Sequence, residues 1–327
     1  MKENLPIDKA QKNFDSSGSS PLLSYKSQDK LALYLLKGIG LFIIFILALM
    51  IYLLFDMSSL ALKEYGLTSF IKTDWWNPVE DEFGALSFIY GTLVTSAIAI
   101  VVAAPLSIAM ALFLTVVLRG ALAKFLGLLV ELIAAIPSIV FGLWGLFYLA
   151  PWVKNSLTPF LKTTLGFLPL FQGPSFGIGL LTAGIILAIM ITPTITSLTR
   201  EVFKAISPLQ KEAALGLGAT KFEMIKIAIL KPSLSGILGA CVLGLGRALG
   251  ETMAVAMVIG NSPVISKSLF APGATMASII ANEYAEAEGE LHLSALCLIA
   301  IVLFLVTFIV NFVARMVIWR NNRRVKK

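Results

Sequence analysis

The sequence predicts an all-α membrane protein with six transmembrane helices. Hydrophobic residues make up 57% of the 327 positions and charged residues only 14%, and the mean hydropathy is +0.88, far outside the range of soluble globular domains. A membrane helix needs about 20 mainly apolar residues, and six stretches offer that length or more. They are residues 33–55, 85–118, 125–151, 177–199, 233–260 and 293–318.

The order of polar and apolar stretches predicts how the chain is organised. Its first thirty residues carry Ser, Gly, Pro and mixed charge, a composition that cannot bury a core. The first apolar run lacks a small-residue cleavage site, so we expect it to remain as an anchor and not to be removed as a signal peptide. The predicted regions are a flexible cytoplasmic tail (1–30), a first transmembrane anchor helix (31–60), a periplasmic loop (61–84), the main transmembrane domain (85–318, with a cytoplasmic loop at 200–232) and a basic cytoplasmic tail (319–327).

Prolines interrupt several of the apolar segments, and each predicts a kink that neighbouring helices must accommodate. The prolines are Pro105, Pro137 and Pro193. Hydroxyl groups surround the last of them, on Thr192, Thr194, Thr196 and Ser197. They either line a polar path or satisfy carbonyls that the proline frees, and we favour the second interpretation. Glu131 lies near the predicted start of its helix, where we expect a structural role.

The positions of Lys and Arg predict the orientation in the membrane. Of the 26 basic residues, twenty lie on one side, in the two termini and the loops at 119–124 and 200–231. Five lie on the other side and Arg247 lies inside a segment. By the positive-inside rule both termini are cytoplasmic. This distribution explains the net charge of +7 through topology, so we expect no nucleic-acid partner.

Two ionisable residues inside the fifth segment are the main candidates for function. Arg247 and Glu251 are four positions apart, which places them on one face of a continuous helix. Charged groups in hydrocarbon are costly unless they are paired or face a polar cavity. A guanidinium offers several donors to the oxygens of an anion, and a carboxylate can accept a hydrogen bond from an anion that retains a proton. We therefore predict a substrate path formed by Arg247, Glu251 and Thr252, with a purely structural ion pair as the alternative.

Several kinds of chemistry have no support in the sequence. No GxxxxGK[ST] loop is present, so we expect no P-loop nucleotide site. The glycines of GLGRALG (244–250) have the wrong spacing for a dinucleotide fingerprint and fit close helix packing better. His292, Cys241 and Cys297 do not form a metal-ligand pattern. We predict no cofactor, no metal site and no catalytic residue, so the chain is not expected to be an enzyme.

A charged, Ala/Gly-rich stretch carries the first family resemblance. In EAALGLG, Glu212, Ala213 and Ala214 are followed by Gly218, and Leu230 and Pro232 come later. This pattern resembles the EAA loop of ABC importer permeases, which is a cytoplasmic helix, turn and helix that docks on an ATPase subunit. Pro232 follows Leu230 one residue later than in that family. An ordinary solvated loop is the alternative interpretation.

A second set of motifs narrows the resemblance. GLGRALGETMAVAMVIGN (244–261), together with residues 91–114 and 136–145, is similar to permease subunits of bacterial phosphate ABC importers (PstC type) over roughly residues 65–315. The resemblance implies a type I ABC importer permease fold in the bacterial inner membrane, translocating inorganic phosphate inward. It also implies a second permease subunit (PstA type), two copies of an ATP-hydrolysing subunit and a periplasmic or lipid-anchored phosphate-binding protein, with membrane lipid around them.

The nearest alternatives change the cargo or the role of the chain. A permease for another oxyanion, such as molybdate or sulfate, would keep the same class of protein. A membrane component that acts mainly in phosphate signalling belongs to a different class, and a membrane-embedded enzyme is the least supported.

Overall fold

Long helices dominate the fold. The structure, a computed structural model, describes residues 21–118 and 120–325. The chain divides into two units, Met1–Leu53 and Leu54–Lys327. Residues 1–20 of the predicted flexible tail lie outside the described residues, and residues 21–30 of that tail are helical. At the other end of the chain, helix continues into the predicted basic tail as far as Val325. Arg119 and the last two residues also lie outside the described part.

Fifteen α-helices and one small hairpin occur among the described residues. Five further segments are π turns or a 3₁₀ turn. The helices are α1 Pro21–Met57, α2 Ser59–Tyr65, α3 Leu67–Lys72, α4 Leu86–Leu112, α5 Ala121–Ala134, α6 Ser138–Trp144, α7 Ala150–Trp152, α8 Thr158–Leu165, α9 Leu180–Lys204, α10 Pro208–Gly216, α11 Lys221–Met224, α12 Lys231–Leu249, α13 Met253–Val258, α14 Met276–Glu283 and α15 Glu290–Val325. The hairpin pairs β1 Trp76–Asn77 with β2 Glu82–Phe83. The turns are Phe113–Val117, Gly145–Leu149, Val153–Leu157, Pro169–Phe171 and Ile225–Leu230.

The helices account for the predicted membrane segments. Five described helices are long and apolar enough to cross a membrane, and a sixth span arises if the bent pair Ala121–Ala134 and Ser138–Leu165 counts as one. The bend is 88° and contains Pro137, whose ψ of 140° is not helical. Pro105 and Pro193 lie within continuous helices, so their kinks stay predictions. The predicted helical membrane fold with up to six spans is confirmed.

The prediction for the fifth segment is wrong at its end. Residues 233–260 were expected to form one helix, but α12 ends at Leu249 and a separate short helix, α13, begins at Met253. Gly250 is the residue that leaves the helical conformation, with φ −98° and ψ 3°. Glycine has a low helix propensity, and polar residues follow it directly. The break changes the geometry of the predicted site, as described below.

Helix α9 lies at the centre of the second unit. It packs against α4, α5 and α12, and 78% of the residues in its most apolar stretch are buried. Small residues on α9 itself and on a neighbouring helix allow the close approach. A Cβ atom at Gly244 of α12 would lie 2.6 Å from Ile195 of α9, and one at Gly184 of α9 would lie 2.6 Å from Ile98 of α4. Such contacts replace the hydrophobic effect, which is absent between helices in lipid.

A second buried cluster joins the hairpin to α14 and α15. The Nε1–H of Trp76 donates to Glu283 at 3.0 Å, and Nε2 of His292 lies 2.9 Å from the same carboxylate oxygen. The ring of Phe83 stacks on that of His292 with centroids 5.4 Å apart. Trp76 is therefore buried, whereas Trp75 is exposed. The cluster ties residues that are more than two hundred positions apart.

Gly91 provides a test of the packing between α4 and the segment before α14. A Cβ atom there would lie 2.0 Å from the carbonyl oxygen of Ala274. We expect Gly91→Ala to lower the free energy of unfolding by about 1–3 kcal/mol because the backbone must shift. The melting temperature in detergent measures the effect. Gly40→Ala, in α1 with open space around its Cβ position, is the control; an equal loss in both variants would contradict this account.

Candidate functional site

Arg247 lies at the depth of the middle of the bundle. Its Nη1 donates to the hydroxyl of Thr194 on α9 at 3.3 Å. Thr194 is about 21 Å from the start of α9 and about 15 Å from its end, at 1.5 Å per residue. The side chain of Arg247 is exposed in the isolated chain. A charged group at this depth is costly to expose to lipid, so this face requires a protein surface or water over it.

Glu251 and Thr252 do not join Arg247 as predicted. Because α12 ends at Leu249, the two residues lie in the break before α13 and share no helix face with Arg247. None of the ion pairs found among residues 21–118 and 120–325 includes Arg247 or Glu251. The hydroxyl of Thr252 donates to the carbonyl of Gly250 at 3.3 Å. The predicted Arg247–Glu251 pair, as a pair on one helix, is therefore wrong.

Arg247 and its partner Thr194 line a cavity between α12 and α15. Its volume is about 610 Å³, within the range of ligand sites in proteins. It contains two arginines, and the described residues that line it include no carboxylate. The lining residues are Thr194, Gly239, Val242, Leu243, Gly246, Arg247, Asn311, Arg315 and Ile318. Of the three predicted path residues, only Arg247 lines this cavity.

Three of the four hydroxyl groups near Pro193 make hydrogen bonds, and that of Thr196 is buried with no partner among the described residues. Thr192 donates to the carbonyl of Ala188 at 2.6 Å, and Ser197 donates to that of Thr194 at 3.0 Å. These contacts satisfy backbone carbonyls of α9, but neither acceptor is the carbonyl of Ile189, four residues before Pro193, which the proline frees. The favoured interpretation therefore stays a prediction. Thr194 instead accepts from Arg247 and lines the cavity. A polar contact between segments 53 positions apart has no signal in the sequence.

The loop predicted to couple the permease to an ATPase is a helix, a turn and a helix. Helix α10 contains Glu212, Ala213 and Ala214, and it ends in a turn at Gly218, whose φ is +86°. The N–H of Gly218 donates to the carbonyl of Leu215, and the N–H of the next residue donates to that of Ala214. These two bonds form a Schellman motif, for which glycine in the left-handed conformation is the preferred residue. Local sequence therefore determines the turn.

The second half of the loop is also defined by local chemistry. Thr220 and Glu223 form a capping box at the start of α11, which satisfies free N–H groups of the first turn. A π turn, Ile225–Leu230, follows and leads into α12, where Pro232 lies in the first turn. A π turn takes one more residue than an α turn. It therefore accommodates the one-residue delay of Pro232 that the sequence shows.

Large apolar side chains on this loop are exposed. Leu209, Leu217 and Phe222 are 72%, 91% and 74% accessible. Leu217 and Phe222 flank the turn at the tip of the loop, and Leu209 lies in the first turn of α10. Several exposed apolar side chains on one loop mark an interaction surface more often than a single one does. They lie beside Glu212 and the turn at Gly218, so the loop offers both apolar and charged contacts.

An ion pair that the sequence did not predict connects α5 to α9 near the loop. Arg200 donates to Glu131 at 2.8 Å, and the guanidinium side chain is 13% exposed. Gly127 makes room for it, since a Cβ atom there would lie 1.8 Å from Nη1 of Arg200. The expected structural role of Glu131 agrees with this contact. The sequence contained only an indirect signal, a basic residue just inside the end of α9.

The long apolar helices, the cavity with two arginines between α12 and α15 and the exposed helical loop define a multi-pass membrane protein with a cationic site beside its central helix. Residues 103–326 match the family described as "Binding-protein-dependent transport system inner membrane component". The match covers well over half of the chain. The chain therefore belongs to this family, whose members are components of transport systems and not enzymes.

Named relatives agree with the family match. "Phosphate transport system permease protein PstC" of Mesorhizobium japonicum is 47% identical over 83% of this chain and 84% of its own length. The protein of the same name from Xylella fastidiosa (strain Temecula1) is 50% identical over 81% of this chain and 82% of its own. The predicted resemblance to PstC-type permeases is confirmed. Among solved structures, inward facing MetNI methionine ABC transporter is similar at a TM-score of 0.49 and 18% identity, over 71% of this chain and 95% of that one.

The Arg200–Glu131 pair can be tested by removing its acidic partner. Glu131→Gln leaves a largely buried guanidinium without its carboxylate, so we expect the free energy of unfolding to fall by about 1 kcal/mol, a modest amount because Glu131 itself is half exposed. Thermal melting in detergent measures the loss. Glu201→Gln is the matched control, because Glu201 lies 3.6 Å from the same guanidinium and is 62% exposed. An equal loss in the control would contradict a specific role for Glu131.

Proposed function

We propose that this chain is a permease subunit that moves inorganic phosphate through the bacterial inner membrane into the cell. The observation that carries the proposal is Arg247, a guanidinium held at mid-depth beside a cavity free of carboxylates among its described lining residues. Such a group offers several donors in a fork that matches phosphate oxygens. The relatives named as phosphate transport system permeases favour phosphate over other oxyanions.

The exposed face of Arg247 supports a second permease subunit as a partner. A cation at this depth must be covered by protein or water, and this chain leaves it open. We propose that a PstA-type subunit closes the cavity from the other side, so that the path lies between two permeases. A periplasmic or lipid-anchored binding protein would deliver the anion to the outer face, with both termini of this chain in the cytoplasm as its basic residues predict.

We further propose that two ATP-hydrolysing subunits supply the energy, one of them through the loop at 200–232. The exposed side chains of Leu209, Leu217 and Phe222 support a docked protein surface over this loop. Its π turn continues directly into α12, the helix that carries Arg247. A movement of the loop would therefore be transmitted along one element to the cavity.

Labelled phosphate uptake tests the role of Arg247. We expect Arg247→Gln in the reconstituted transporter to reduce ATP-driven uptake by about tenfold to a hundredfold, the effect of losing charged hydrogen bonds to the anion. Arg247→Lys should retain part of the activity because the charge remains without the fork. Uptake of sulfate and molybdate in the same vesicles distinguishes phosphate from the alternative cargoes.

Thr194→Val is the control for a purely structural role of Arg247. It removes the hydroxyl that Arg247 contacts but leaves the cation in place. If Arg247 only holds α12 to α9, both variants should lower the melting temperature equally and affect uptake equally. Normal uptake by a stable Arg247→Gln transporter would refute the proposed path.

Gly218 tests the coupling loop independently of the cavity. Alanine at this position must adopt a positive φ, which costs about 1–2 kcal/mol, roughly a five- to thirtyfold shift in the population of the docking conformation. We expect Gly218→Ala to lower phosphate-stimulated ATP hydrolysis and uptake together. Gly216→Ala is the matched control, since both glycines have open space around the Cβ position but only Gly218 has a positive φ. Equal activity of the two variants would remove the loop geometry from the mechanism.

A further inference from the structure

The cavity beside Arg247 extends along α12 toward the coupling loop. It reaches Gly239, which is eight residues earlier on α12 and therefore about 12 Å nearer the loop at 1.5 Å per residue. The opposite wall is α15, from Asn311 to Ile318. An anion that leaves Arg247 in the direction of the loop therefore passes along this wall.

Two donor side chains lie on that wall, one turn apart. Asn311 and Arg315 are four positions apart, so they share a face of α15. The amide of Asn311 lies over Gly246, where a Cβ atom would be 3.7 Å from its nitrogen. Arg315 lies about 6 Å further toward the loop end. Among the described residues, no hydrogen bond or ion pair engages the guanidinium of Arg315, so its donors are available to a ligand.

The charges around Arg315 favour binding of an anion in the cavity that Arg247 also lines, and not in the neighbouring groove. A second groove, of about 470 Å³, also touches Asn311 and Arg315, but its other lining residues are three phenylalanines and one threonine. Only the first cavity brings a second cation near, and its described lining residues include no acid. Two cations without a counter-charge create a positive potential that attracts an anion.

We propose that Arg315, together with Asn311, forms a second binding position for the transported oxyanion, between Arg247 and the coupling loop. The proposal rests on the proposed function and extends the substrate path beyond Arg247. The guanidinium supplies several donors and the Asn311 amide two more, which matches a tetrahedral oxyanion. Two binding positions of moderate affinity allow the anion to dissociate from one and move to the next, as conduction requires.

An anionic lipid headgroup carries the same phosphate chemistry as the transported anion. Arginines near helix ends extend toward the membrane surface, so a headgroup is the alternative ligand of Arg315. The test therefore uses the complete transporter in two kinds of vesicle, one of neutral lipid only and one with added anionic lipid. ATP-driven uptake of labelled inorganic phosphate is measured in both, and ATP hydrolysis reports whether the complex is assembled.

We expect Arg315→Gln to reduce uptake by about tenfold or more in both kinds of vesicle, as for the loss of a charged hydrogen bond. Arg320→Gln, which removes the same charge from the same helix outside the cavity lining, should behave as wild type. Gly239→Leu should also block uptake in an assembled complex, because it fills the cavity where nothing lies within 4 Å of the Cβ position. Uptake by Arg315→Gln equal to that of Arg320→Gln, or a loss seen only with anionic lipid, would overturn the proposal.

Uptake of different anions by the wild-type transporter distinguishes a failure of this inference from a failure of the proposed function. If wild type takes up sulfate or molybdate but no phosphate, the proposed cargo is wrong, and the same Arg315→Gln comparison is then made with the anion that is transported. An unchanged rate for that anion would overturn the second position by itself.

Discussion

Close packing of small residues around α9 is the constraint on which the rest of the second unit depends. In hydrocarbon, helices gain little from burying apolar surface against one another, so their association rests on contact distance and on polar contacts between them. Gly184 and Gly244 allow that distance at two points along α9. The register set there places Thr194 beside Arg247. A shift of one residue in either helix would separate the guanidinium from its hydroxyl partner.

Two glycines at helix ends determine where neighbouring charged residues lie. Gly250 ends α12 just after Arg247, so the guanidinium lies in the last turn of a helix and Glu251 lies in the break beyond it. Gly218 ends α10 with a left-handed residue and reverses the chain at the tip of the loop. Gly218 uses a backbone conformation that favours glycine, whereas Gly250, with φ −98°, acts through the low helix propensity of glycine. The positions of the neighbouring charged residues therefore depend on glycines, which carry no functional group in a side chain.

The proposed path and the proposed coupling loop are connected by one element. The segment from Lys221 to Leu249 contains the capped start of α11, the π turn and α12. Its first end carries the exposed loop surface, and its last turn carries Arg247. Helix α15 faces it across the cavity with Asn311 and Arg315. A rotation or tilt of this segment would change the distance between the two arginines, so the proposed ATP-driven movement would act directly on the proposed anion path.

The sequence by itself determined the membrane class, the apolar segments that form the spans apart from the break after Leu249, and the loop from Ser207 to Glu223. These features depend on local composition, on hydrophobic length and on turn chemistry within a few residues. Tertiary structure alone decided which side chains meet. Four contacts join distant segments: those of Thr194 with Arg247, of Glu131 with Arg200, of Trp76 with Glu283 and His292, and of Arg315 with the cavity of Arg247. Their contacts depend on the register between packed helices, and no short-range pattern encodes that register.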